Sequence, residues 1–167
     1  MSGDVIGATA PAELRTHSRP PLYTPEQRAR RDATMWTTVQ GVLAPVQFLV
    51  CAVSIGLVVY YLTTGQGYGA ATASIIVKTG LLYTIMITGA IWEKIVFGQY
   101  LMAPSFFWED MVSLAVVVIH TAYLWALFSG VDPVTQMTIA LVAYALYIVN
   151  AAQFVWKLRV ARLEGRL

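Results

Sequence analysis

Three carboxylic acids stand where an apolar chain should exclude them: Glu93 closes one long hydrophobic segment, and Glu109 with Asp110 opens the next. A charged side chain at membrane depth is costly unless it is paired or used, so these positions carry the first functional signal. Amides accompany them, with Gln40, Gln47, Asn150 and Gln153 in the corresponding halves of the neighbouring segments, and one pocket can collect them all. Glu109 and His120 are eleven residues apart. On a helix that spacing puts both on nearly one face, Ser113 between them, separated by about 16 Å along the axis. They do not touch, but a large flat ligand lying along the helix meets both. Such a set supports proton transfer, with a carboxyl as general acid and an oriented water as nucleophile. Glu109 is the first choice for the acid because it shares the stripe with Ser113 and His120 and adjoins Trp108, whose ring can stack on an extended π-system. Asp110 points about a quarter-turn away.

Each residue also has a purely structural reading. Glu109 and Asp110 follow Pro104 and Ser105, where carboxylates complement the dipole at a helix start. Glu93 beside Lys94 suits an interfacial ion pair, and a lone His120 suits a core histidine bonded to a carbonyl. Lys78 is expected to snorkel to the outer interface. Trp92 and Trp108 read as interfacial anchors, although both adjoin the carboxylates. The single cysteine, Cys51, lies among apolar residues and reads as a small hydrophobe. No zinc-ligand set, phosphate-binding glycine loop or Ser-His-Asp order is present, and the run from Gly65 to Gly69 is too short and misplaced for a dinucleotide fingerprint. No cofactor and no resident metal is therefore expected.

The elements that position these groups follow from hydropathy. With 57% hydrophobic residues and a mean hydropathy of +0.63, the chain lies outside the range of ordinary water-soluble domains. No charge falls within 33–77, 79–92, 95–108, 111–131 or 133–156. Spanning a bilayer takes about 20 residues of helix, which predicts an all-α bundle of four membrane spans near 38–62, 71–93, 106–129 and 133–157. Residues 1–22, rich in Pro, Ala and Arg and without an apolar h-region, are expected to be a disordered cytoplasmic tail rather than a signal peptide. Residues 23–167 form the membrane domain. A capping box at Thr24-Pro25-Glu26-Gln27 starts an interfacial helix that runs into the first span, which Pro45 is expected to kink. Gly130-Val131-Asp132-Pro133 marks a tight helical hairpin.

Basic residues set the orientation. Arg15, Arg19, Arg28, Arg30 and Arg31 precede the first span, Lys94 follows the second, and Lys157, Arg159, Arg162 and Arg166 follow the fourth. The other two connections carry none, which places both termini in the cytoplasm. Trp36, Trp92, Trp108 and Trp156 fall at that boundary and Tyr60, Tyr61, Tyr68 and Trp125 at the opposite one. The net charge of +2 suits an anionic lipid surface and not nucleic acid.

Five blocks also resemble a known family: Tyr23 to Asp32 (YTPEQRARRD), Trp36 to Pro45 (WTTVQGVLAP), Ile91 to Lys94 (IWEK), Phe106 to Asp110 (FFWED) and His120 to Tyr123 (HTAY). They are similar to the 3-vinyl bacteriochlorophyllide hydratases of photosynthetic bacteria, also called 2-vinyl bacteriochlorophyllide hydratases, from about Tyr23 to the last span. The resemblance implies a multi-pass protein of the bacterial inner, intracytoplasmic membrane. It implies hydration of the ring-A vinyl of a chlorophyllide-type pigment to 1-hydroxyethyl, a step toward the acetyl group of bacteriochlorophyll a, without a redox cofactor. It carries no catalytic assignment. On the residue reading, Glu109, Asp110, Glu93 and His120 are the catalytic candidates. His120 is either base for the water or axial ligand to the substrate's magnesium. Trp92, Trp108, Gln47, Ser113, Tyr123 and Asn150 are the candidate substrate contacts. The expected partners are the tetrapyrrole, membrane lipid, a second copy of the chain and other bacteriochlorophyll enzymes. Two other readings stay open: a protein that only holds or delivers pigment, and a proton-coupled exporter, against which the lack of a carboxylate deep in any span weighs.

Overall fold

The computed structural model describes residues 21–164, so positions 1–20 of the tail expected over 1–22, including Arg15 and Arg19, lie outside the described residues, as does Arg166. The described chain is helical: α1 (Pro25–Ala33), α2 (Met35–Thr64), α3 (Tyr68–Phe97), α4 (Phe107–Phe128) and α5 (Pro133–Glu164). The last four are long and apolar enough to cross a membrane. They extend past most of the predicted spans, α5 by seven residues beyond 157, because helix continues through the interface once the chain leaves the hydrocarbon core.

Local chemistry places the ends. Thr24 Oγ1 accepts from the Gln27 amide at 3.2 Å while Gln27 Oε1 accepts from the Thr24 amide at 2.9 Å, completing the capping box. α1 does not run straight into α2. Thr34 adopts extended dihedrals (φ −87°, ψ 136°), ending one helix and capping the next, which lets α1 turn across the bundle end. α2 continues through Pro45. Gly65 and Gly67, both left-handed (φ 70° and 83°), reverse the chain in three residues between α2 and α3. Asp132 Oδ1 accepts from the Thr135 amide at 2.9 Å and starts α5. Hydrogen bonds from the Thr135 side chain and then from its amide hold the Asp132 carboxyl below its ordinary range.

α2 packs chiefly on α3, and α4 chiefly on α5; the two hairpins meet along a sparser seam. Apolar side chains cover the outside: Leu49, Val53, Val77, Ile87, Val118, Trp125 and Val149 are all exposed. An apolar exterior of this extent is what lipid solvates. Polar groups lie inside instead. Ser54 bonds Tyr144 (2.6 Å) and Ser74 (2.7 Å), and Tyr68 donates to Gln136 (2.7 Å). Such interhelical bonds contribute about 0.6 kcal/mol each on average in a bilayer, so they set register more than they supply stability.

A second core closes the end that carries the basic residues. Tyr23 is buried against Phe97 and Phe106, with the Arg31 guanidinium 4.8 Å above its ring. Ser105 donates to the Leu22 carbonyl at 3.0 Å, and Trp92 Nε1 donates to Thr37 Oγ1, which donates in turn to the Arg31 carbonyl. Burial pushes the Tyr23 phenol up to about 12, opposed by the nearby Arg31. The sign is fixed by linkage: the folded value lies above the unfolded one near 10, so the contribution is whole below pH 10 and is lost as pH rises toward 12. Limited proteolysis between α1 and α2 is therefore expected to accelerate across that interval, and Tyr23→Phe to abolish the acceleration. An identical pH profile for the Phe variant would show that another group controls the cover.

Candidate functional site

Directly beneath this aromatic cover lie the three carboxylates, all buried. The loop between α3 and α4 arranges two of them. Its Met102 amide donates to Asp110 Oδ2 at 2.6 Å, and the adjacent Ala103 amide donates to Glu93 Oε2 at 3.2 Å. Met102 takes a left-handed conformation (φ 60°), unusual for a residue with a side chain. Strain of roughly 1 kcal/mol or more at such a position persists only where the surroundings enforce it. Here it aims two successive amides at two acids from different helices. Glu93 and Asp110 are thereby held by neighbouring amides of the same loop.

Glu109 is placed differently. Its Oε2 lies 2.6 Å from Lys157 Nζ on α5, and the same ammonium stands 5.0 Å from the Phe106 ring. The other ion pair among the described residues is Arg31–Asp32, so the considered Glu93–Lys94 pair is not formed; Lys94 donates to the Gly98 carbonyl instead. One turn deeper on α4, Ser113 Oγ accepts from Asn150 Nδ2 at 2.8 Å, leaving Asn150 Oδ1 buried without a protein partner.

The remaining candidates do not join this group. Gln40 donates to Thr88 at 2.8 Å, and Gln47 lies deeper, with Lys78. The polar residues thus form two layers, not one pocket. In the deeper layer Lys78 is fully buried, donating to Gln47 Oε1 and standing 3.6 Å from the centre of the Tyr147 ring. The expected snorkelling does not occur, for a simple reason. Lys78 lies ten residues inside α3, about 15 Å along the axis, too deep for its stem to reach the outer interface. His120 enters the same layer from α4, its Nδ1 2.8 Å from the Val116 carbonyl, its ring 5.8 Å from Tyr144 and its Nε2 without a partner. A carbonyl only accepts, so Nδ1 carries the hydrogen and Nε2 presents a lone pair. Tyr123 is buried one turn beyond. Trp92 is part of the aromatic cover, whereas Trp108 is 71% exposed on the outer face beside Phe107, turned away from the acids.

Sequence reasoning missed three contributors. Lys157 was legible only as one of several flanking basic residues, and Tyr144 and Tyr147 only as apolar filling. The depth of Lys78 within its helix was the available signal for the second layer.

Comparison with known proteins matches residues 23–160 to the family model described as 2-vinyl bacteriochlorophyllide hydratase. Two relatives carry that same name. One, from Cereibacter sphaeroides, is 71% identical over 143 residues, covering 86% of this chain and 89% of its own length. The other, from Rhodobacter capsulatus, is 64% identical over 155 residues, covering 93% and 91%. No solved structure matches the chain.

Proposed function

Because the chain belongs to the 2-vinyl bacteriochlorophyllide hydratase family, we propose that it adds water to the ring-A vinyl group of a chlorophyllide-type pigment, with the Glu93–Asp110 pair as the acid. The observation that carries this choice of acid is the pairing itself. Two buried carboxyl groups held by successive amides of one loop are arranged to share one proton, whereas Glu109 is held in an ion pair with Lys157. The pair's proton goes to the terminal vinyl carbon, forming the methyl group and a cation that the macrocycle delocalises. Water then bonds to the inner carbon, and the proton it releases returns to the vacated carboxylate. One water is consumed and the pair ends as it began. Asn150 Oδ1, a buried free acceptor, supports a role in orienting that water.

The seam between the hairpins is the proposed berth for the macrocycle, since it has fewer contacts to break than either hairpin and is polar at two depths. His120 lies about 16 Å along α4 from Glu109, too far to be base for a water attacking at the acid pair. Its free Nε2 keeps it a candidate ligand for the pigment's magnesium. Purified protein incubated with the vinyl pigment should yield a product heavier by one water. Stoichiometric binding with no such product would instead establish a carrier.

The same proposal places the acid pair at the cytoplasmic side of the bacterial inner membrane. Arg28, Arg30, Arg31, Lys94, Lys157, Arg159 and Arg162 sit at that end of the bundle, and the opposite loops hold one charge, Asp132. Cysteines introduced at Gln66 and at Arg162 should differ in labelling by a membrane-impermeant reagent applied from the periplasm, with only the first reacting. Equal labelling would reverse this reading. A homo-oligomer is also proposed, with Gly80 open on the exposed face of α3, while a Cβ at Gly89 would stand 3.7 Å from Gln40 Oε1 inside the protein.

A further inference from the structure

Asn150, Gln153 and Lys157 stand three and four residues apart on α5, which puts them along one helix face. The outer two set the register against α4: Asn150 Nδ2 donates to Ser113 Oγ at 2.8 Å, and Lys157 Nζ pairs with Glu109 Oε2 at 2.6 Å. Gln153 therefore comes level with the turn of α4 between Glu109 and Ser113, where Asp110 lies. Its Oε1 is buried there without a protein partner, as is Asn150 Oδ1. Native proteins leave few buried polar atoms unpaired, and each exception calls for an explanation. The Asn150 oxygen has a part in the chemistry above, whereas Gln153 has none. Residues three apart on a helix have Cβ atoms about 5 to 6 Å from each other, a span that one water bridges. The guest must bring two donors, since both oxygens only accept. A cation is opposed by the Lys157 ammonium on the same face.

We propose that Asn150 Oδ1 and Gln153 Oε1 together hold the attacking water, one of its hydrogens on each. The inference rests on the reading of the chain as a hydratase with Glu93 and Asp110 as its acid. With both hydrogens engaged, the water's lone pairs face away from α5, on the side of the acid pair. Amide oxygens are too weakly basic to remove a proton themselves. Once the pair has protonated the terminal vinyl carbon, the water oxygen donates a lone pair to the inner carbon and becomes an oxonium. The carboxylate left by the first step is then the strongest acceptor at that level, and the hydrogen held by Gln153 passes to it. One proton leaves the pair and one returns, so the charges balance. Gln153 is thus a positioning residue that acts after protonation, and its loss leaves the acid in place.

Reaction in D2O separates the two steps, because a cation that water fails to capture returns a proton to the pair and leaves deuterium in the vinyl group. Mass spectrometry reads both quantities, deuterium in the recovered vinyl pigment and yield of hydrated product. Gln153→Met and Asn150→Leu should each lower hydration about 10- to 100-fold, the scale of misplacing a reacting group. Exchange should persist in both, so the ratio of exchange to hydration rises by a similar factor. Gln153→Glu keeps an oxygen at the position and should hold the ratio near that of the wild type. Loss of the acid, as in Asp110→Asn, removes exchange and hydration together, and so does misfolding; Gln153→Ala supplies the ratio if Gln153→Met misfolds. An unchanged ratio in the Met or Ala variant, or a rise in Gln153→Glu as large as in Gln153→Met, overturns the proposal. Wild-type hydration with that unchanged ratio leaves the hydratase reading standing without this water site. Wild-type protein that binds pigment but gives neither exchange nor product overturns the hydratase reading, and this inference with it.

Discussion

Replacement of Asp110 by Asn or Glu93 by Gln should lower hydration by about 10²- to 10⁴-fold, the usual consequence of removing a general acid. An amide preserves the shape of each group and can still accept from the Met102 or Ala103 amide that holds it, so insertion and pigment binding should survive. The double variant Glu93→Gln/Asp110→Asn should be little slower than the worse single one. Two groups sharing one proton act as a unit, and the losses of such units do not add. Glu109→Gln should slow the reaction less than either, since Glu109 holds Lys157 rather than the proton. The measurement is turnover at matched membrane abundance. If Glu109→Gln were the inactive variant and the other two near wild type, the acid would be Glu109. The Glu93–Asp110 pair would then be structural.

Lys157→Met is expected to have the largest effect on stability. It leaves Glu109, whose side chain is 10% exposed, as a buried carboxylate without its cation. Breaking a fully buried pair costs about 3 to 5 kcal/mol. Lys157 is 23% exposed, so solvent screening brings the expected loss down to roughly 1 to 3 kcal/mol. The double variant Lys157→Met/Glu109→Gln should regain most of it, because the cost lies in the unpaired charge and not in the absent contact. Thermal unfolding in detergent measures both. A single variant as stable as wild type would mean that water already screens the pair.

The prediction for Tyr23 and these two share one origin in the cover over the acids. Phe97, Phe106 and Trp92 pack with Tyr23, whose ring carries Arg31, at the end of the bundle where Glu93 and Asp110 are buried. The strained Met102 lies in the loop joining the helices that supply the acids. Substitutions far from the carboxyl groups, such as Ser105→Ala at the Leu22 contact, therefore act on the same site through its shielding from water.

The sequence by itself determined the number of membrane helices, the capping box at Thr24 and the tight hairpin at Gly130 to Pro133. These depend on hydropathy and on backbone groups satisfied within a few residues. The resemblance in five blocks pointed to the family, and residues at span ends marked the acids as chemically significant. Only the tertiary structure decided which acids meet. Glu93 and Asp110 are joined across a loop whose geometry depends on one left-handed residue, and the partner of Glu109 is forty-eight residues away on α5. Lys78 illustrates the same limit: its depth could be counted from the sequence, but its fate could not. Whether a lysine extends outward or is held inside depends on what the other helices offer, here the amide of Gln47 and the ring of Tyr147. Hydropathy is a local property, whereas pairing between charges is fixed by which faces of distant helices come together.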